Sequence, residues 1–160
     1  MVASSITLSN FHHVLQFAMG WTNSHMHQFV AGGRFYGEPD RDFESHVVDE
    51  GNVRLDRLLK RENDAITYEY DFGDGWEHKI ELEKIQPFDP EASLPVCVAG
   101  RLACPPEDVG GIWGYQDLLR AVQDPSHAEY SEYLEWVGGE FDPRYFNLKE
   151  VNELLSEYCR

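Results

Sequence analysis

Cysteine is scarce in this chain. Cys97, Cys104 and Cys159 are the only three thiols among 160 residues. A sparse and odd count argues against a disulfide scaffold and fits reduced thiols in the cytoplasm. Basic residues are also few: 13 Lys and Arg face 29 Asp and Glu, for a formal charge of −16. Such a balance repels phosphate backbones and disfavours a nucleic-acid surface. Long apolar runs are missing, so no segment reads as a membrane span. The opening residues lack the basic stretch and apolar run of a signal peptide. A Gly-x-Ser-x-Gly elbow, a phosphate loop, a His-Glu-x-x-His helix and a dinucleotide fingerprint are all lacking.

Aromatic residues, by contrast, are plentiful. Nine Phe, eight Tyr and four Trp within a 42% apolar composition point to a folded chain with a real core. The length suits one domain over 1–160, burying about two-thirds of its unfolded surface. Charge is unevenly spread. Residues 1–37 hold no acid and one basic residue, Arg34. Residues 38–160 hold all 29 acids against 12 basic residues, a net of −17. The neutral opening reads as a buried segment or as the one platform that the acidic remainder would not repel.

Periodicity places the elements. Leu8, Phe11, Leu15 and Ala18 share one helical face, with Gly20 as a stop. His27 to Ala31 and Arg34 to Tyr36 flank Gly32-Gly33, a tight hairpin turn. Residues 37–52 read as a loop and Val53 to Lys60 as a short helix. Ile66, Tyr68, Tyr70 and Phe72 alternate with polar residues, as do Trp76, His78, Ile80 and Leu82 beyond Gly73-Asp74-Gly75. That predicts a second hairpin with one apolar face. Residues 86–114 carry five of the eight Pro and read as a long ordered loop. Three helices follow. The first spans Tyr115 to Val122. The second is capped at Asp124-Pro125 and stopped by Gly138-Gly139. The third starts at Asn147. The prediction is an α+β fold: an antiparallel sheet of two β-hairpins, helices packed on one face, and helices at the C-terminus.

Three groups of residues could carry chemistry. His25 and His27, two apart on a predicted strand, would face the same side and could share a metal, or simply pack there. Asp71, Asp74, Trp76 and His78 gather at the second hairpin tip. Two carboxylates and an imidazole would serve acid–base work or a metal, while the plainer reading is Asp as a turn residue and His78 in the core. Cys97 and Cys104 are separated by six residues, wider than a zinc knuckle, and Pro105-Pro106 precede Glu107 and Asp108. The candidate site is therefore His25, His27, Asp71, Asp74, Trp76, His78, Glu107 and Asp108. The metal-type subset is His25, His27, Asp71, Asp74, Cys97 and Cys104, for a divalent ion such as zinc.

Four segments in this order carry a resemblance. They are residues 11–27 (FHHVLQFAMGWTNSHMH), 68–78 (YEYDFGDGWEH), 97–115 (CVAGRLACPPEDVGGIWGY) and 135–152 (EWVGGEFDPRYFNLKEVN). Together they resemble the Ri-plasmid open-reading-frame-three-like family, some members of which are labelled transposon resolvases. The resemblance implies an α+β fold and a link to plasmids and mobile elements. The resolvase label fits poorly, since the chain shows no Ser nucleophile among arginines and no basic region. Two departures stand out. The family's first strand has no counterpart before Met1, so either the start is shortened or the sheet edge is covered another way; an edge left uncovered would invite pairing with a second copy of the chain. Val109 stands where family members often have Cys, so a local three-thiol site is lacking. The expectation is a non-enzymatic binding or accessory module with a protein partner, a metal-binding domain or metal-dependent hydrolase being the alternative. Direct DNA binding is disfavoured by charge.

Overall fold

A computed structural model describes residues 1–39, 46–87 and 89–159. Helix α1 spans Leu8–Met19. The Thr7 hydroxyl caps it by accepting from Asn10 N–H, and Gly20 closes it at φ 77°. Strands β1 (His27–Ala31) and β2 (Arg34–Gly37) form the first hairpin. Gly32 and Gly33 turn it at φ 56° and 74°. Strands β4 (Ala65–Tyr70) and β5 (Trp76–Glu81) form the second, in the register that alternation predicts.

The segment predicted as a loop over 37–52 contains more order than that. A two-residue strand, β3 (Val48–Asp49), pairs parallel with β2, and a 3-10 turn follows over Glu50–Asn52. The part of that prediction over 40–45 lies outside the described residues. Helix α2 (Leu55–Leu58) is a single turn. Among the described residues the sheet has five strands in the order β3-β2-β1-β4-β5, and the antiparallel hairpins make up four of them. Helices α3 (Gly111–Gln123), α4 (Tyr130–Trp136) and α5 (Leu148–Tyr158) complete an α+β fold. Among the described residues, no helix is long and apolar enough to cross a membrane.

Helix starts differ from the predicted ones for local reasons. Helix α3 begins at Gly111, four residues early, because glycines read as breakers. Asp124 does not cap α4. Its carboxylate accepts from Ser126 N–H and Oγ–H in a turn, and the helix starts later at Tyr130. Asn147 caps α5 as expected, accepting from Lys149 and Glu150 N–H.

One core joins the sheet to two helices. Phe29, Tyr68 and Tyr70 are fully buried against Leu8, Phe11 and Val14 of α1 and Leu155 of α5. Burying each such side chain stabilises by about 1.5–3 kcal/mol. Alternation ends at Asp71, whose φ is +52°, and Phe72 is therefore 49% exposed instead of inward.

The core also holds a polar network. His12 Nε2–H donates to Asn23 Oδ1 at 2.8 Å, and the Tyr68 hydroxyl donates to His12 Nδ1 at 2.8 Å. Gln16 Nε2 donates in turn to the Tyr68 oxygen at 2.9 Å. The His12 ring stacks on His27 at 3.5 Å between centroids. Burial, then neighbouring His27, pushes the His12 imidazole from 6.5 down to about 3, against the opposing Asn23 hydrogen bond. The unfolded chain takes up this proton near 6.5 and the folded chain does not until about 3. Stability is therefore complete above the unfolded value and falls as pH drops below it. The slope is up to about 1.4 kcal/mol per pH unit. Urea midpoints from pH 7 to pH 5 should decline, and a His12→Gln variant should lose much of that decline. An unchanged slope in the variant would remove His12 as its source.

Candidate functional site

Three loops converge at the tip of the second hairpin. The first is 21–26, between α1 and β1. The second is the hairpin turn, 71–75. The third is the Pro-Pro-Glu-Asp segment leading into α3. Each is held by contacts that follow from its residues. Trp21 Nε1–H donates to Pro105 O at 2.9 Å, and its ring stacks on Tyr70. Asn23 adopts φ 56° while its N–H donates to Gln16 Oε1 and its side chain accepts from His12. The α1 network thus fixes the loop that carries His25. Asp74 Oδ2 accepts from Gly110 N–H at 3.1 Å, tying the third loop to the turn. Gly111 must be glycine here. Its φ is +66°, and a Cβ would overlap the Asp74 carbonyl oxygen.

Four acid–imidazole side chains meet between these loops. His25 Nε2 lies 3.0 Å from Asp108 Oδ1, 3.6 Å from Asp71 Oδ2 and 3.9 Å from Glu107 Oε2. That nitrogen is buried and makes no hydrogen bond, so the short approach to Asp108 lies off the hydrogen-bonding direction. Ligand atoms of His25, Asp71 and Asp108 all fall within 4.8 Å of one another. No other group of three or more metal-type donors meets that limit among the described residues.

The carboxylates are aimed by their other contacts. Asp71 Oδ1 accepts from Gly73 and Asp74 N–H, which leaves Oδ2 facing His25. Glu107 Oε1 accepts from Thr22 N–H at 2.8 Å and from the Tyr70 hydroxyl at 2.9 Å. Burial, then the bonded Glu107 carboxylate, pushes the Tyr70 hydroxyl up to about 12, so it stays a donor. Asp71 and Asp108 both sit at positive φ, 52° and 58°. Left-handed backbone is uncommon outside glycine and is tolerated best by Asp and Asn. Two such residues at one cluster mark a locally strained, over-determined site.

The structure separates the other predicted residues from this group. His25 precedes β1, so strand alternation does not place it beside His27. His27 Nε2 is 3.0 Å from the buried Glu50 carboxylate instead. Asp74 uses its carboxylate on Gly110. Trp76 and His78 pack on the inner side of β5, with Trp21 near both rings. Burial lowers the His78 imidazole. Cys97 and Cys104 are free thiols outside the donor group. Burial, then Glu107, pushes the Cys104 thiol up to about 12, which makes it a poor thiolate ligand. Sequence reasoning missed Tyr70, Thr22, Asn23 and Glu50. An inward Tyr on an alternating strand does carry a signal, since its hydroxyl needs a partner when buried.

An open α+β sheet with a loop-built acid–imidazole cluster at one hairpin tip defines the structural class. The chain belongs to the plasmid pRiA4b ORF-3-like protein family, whose model matches residues 1–150. It is 39% identical over 160 residues to the uncharacterized protein y4hQ of Sinorhizobium fredii, covering 98% of this chain and 81% of that protein. The fold is similar to the crystal structure of MM3350, a protein of unknown function from Methanosarcina mazei Go1. The TM-score is 0.83 at 34% identity, over 93% of this chain and 85% of the other.

Proposed function

We propose that this protein is a divalent-metal-binding module, with His25, Asp71 and Asp108 as donors and Glu107 beside them. One observation carries the reading: a buried imidazole nitrogen without a hydrogen bond faces three carboxylates. Carboxylates packed this closely repel one another, and a divalent cation would relieve that repulsion. One imidazole with carboxylate oxygens suits zinc or manganese, whereas calcium and magnesium prefer oxygen alone. Three protein donors leave positions for water, so hydrolysis is the chemistry to assay once the ion is loaded.

Titration calorimetry with Zn2+ and Mn2+ on chelator-treated protein tests the reading. About one ion per chain is expected, with proton release on binding. A stoichiometry below about a tenth for both ions would overturn it.

A second reading is an accessory module for a protein partner. Ile112 and Trp113, 59% and 76% exposed at the start of α3, favour it. The two readings are compatible, because an ion joining Asp71 to Asp108 would pin the start of α3 to the hairpin tip.

A further inference from the structure

The loops that carry the acid–imidazole cluster also carry large apolar side chains. Met26 follows His25, Phe72 follows Asp71, and Ile112 and Trp113 follow Asp108 in the first turn of α3. All four are exposed. The backbone fixes where they sit. Asp71 N–H donates to Met26 O at 2.9 Å, which sets Met26 beside the hairpin turn. The positive φ of Asp71 turns Phe72 out of the inward row of Tyr68 and Tyr70. Gly111 rests against the Asp74 carbonyl oxygen, which brings the start of α3 to the same turn. Helical side chains lean toward the N-terminus, so Ile112 and Trp113 lean toward Asp108. Apolar side chains gathered from three loops at one place mark a contact surface.

Charge limits what can lie on this surface. Segments 21–26, 71–75 and 105–113 contain no Lys or Arg. Among the described residues, no Lys or Arg pairs with Asp71, Asp74, Glu107 or Asp108. A phosphate or carboxylate ligand would need such a cation to orient it. Asp71, Glu107 and Asp108 together outweigh the charge of a divalent ion, so the loaded site still repels anions. Side chains as exposed as Met26 and Trp113, at 71% and 76%, suit an extended chain lying across them better than a small molecule enclosed by them.

We propose that the ligand of this site is an apolar peptide segment free of acidic residues. The proposal rests on His25, Asp71 and Asp108 holding an ion. A backbone carbonyl oxygen of the peptide takes an open position on that ion. The apolar side chains of the peptide lie on Met26, Phe72, Ile112 and Trp113. Acidic peptides are turned away by the carboxylates around the ion.

Calorimetry on zinc-loaded protein with three blocked dipeptide hydroxamates tests this. All three share the chelating group and differ in side chains: Leu-Phe, Ser-Ala and Glu-Glu. Leu-Phe should bind about tenfold or more tighter than Ser-Ala, as burying one large apolar side chain allows. Glu-Glu should bind more weakly than Ser-Ala. Phe72→Ser and Trp113→Ser should each cut the Leu-Phe advantage about threefold or more. Both positions are exposed, so each variant should keep the circular dichroism spectrum of the parent. Val98→Ser is the control, an exposed apolar position on a loop tied to α5 through Cys97 and Asn152. It should leave the advantage unchanged. Equal affinity for Leu-Phe and Ser-Ala on the zinc-loaded parent would overturn the proposal and leave the ion site standing. The same holds for tightest binding of Glu-Glu, or an advantage that survives both substitutions. A zinc-dependent dimer in sedimentation velocity, abolished by Phe72→Ser, would assign the surface to a second copy of the chain and overturn the peptide. A parent that binds no zinc would remove the ion and the peptide together.

Discussion

Replacing Asp71 by asparagine should abolish tight divalent-ion binding while leaving the fold intact. The two jobs of this side chain are on different oxygens. Oδ1 accepts from Gly73 and Asp74 N–H, and an asparagine oxygen would do the same. Asparagine also tolerates the φ of 52° found here. Oδ2 faces His25 Nε2, and there the substitution places an uncharged NH2 group. Losing even a residue that supports a ligand costs 10–100-fold in affinity, so losing an anionic donor should cost about 100-fold or more. Calorimetry would read the affinity. Thermal melting separates it from stability: the metal-free melting temperature should hold or rise, since one carboxylate fewer means less repulsion. The rise that added ion gives the parent should vanish. Equal ion affinity in variant and parent would count against Asp71 as a donor.

Alanine at Gly111 should harm both stability and the site. The added Cβ would overlap the Asp74 carbonyl oxygen, and the backbone sits at φ +66°. Relief requires α3 to move away from the hairpin tip. That movement breaks the Gly110 N–H to Asp74 bond and carries Asp108 away from His25. Strain and overpacking of this kind cost about 1–3 kcal/mol each. Ion affinity should fall about tenfold as well, through the displaced donor. Gly32→Ala is the control. Its φ is also positive, at 56°, but a Cβ there meets open space far along the chain from the cluster. It should lower the urea midpoint modestly and leave ion affinity unchanged. If both variants lowered affinity equally, the effect would be general destabilisation and not loop docking.

The contrast between these glycines shows where sequence reasoning succeeds and where it stops. Gly32-Gly33 sits between alternating strands, so a local turn explains it and the hairpin is legible. Period two likewise marks Ile66, Tyr68 and Tyr70 as inward, and all three are buried. Gly111 is different. Its requirement comes from the Asp74 carbonyl, 37 residues earlier, and no local pattern announces it. Strand β3 escapes for a related reason: two residues in a parallel pair show no alternation. The site divides the same way. Asp71 and Asp108 stand out in sequence as acids in glycine- and proline-punctuated turns. Grouping His25 with His27 fails because strand alternation was extended two residues before the strand begins. His27 instead meets Glu50, a contact that only tertiary structure creates.

The central claim is that His25, Asp71 and Asp108 hold one ion together, and a single diffraction measurement tests it most directly. Crystals grown with Zn2+ and measured on both sides of the zinc absorption edge would locate the metal without assumption. The expected result is one strong anomalous peak at about 2.0–2.2 Å from donor atoms of all three residues. Zinc found only at Cys97, at Cys104 or at scattered surface histidines, with nothing between His25, Asp71 and Asp108, would contradict it.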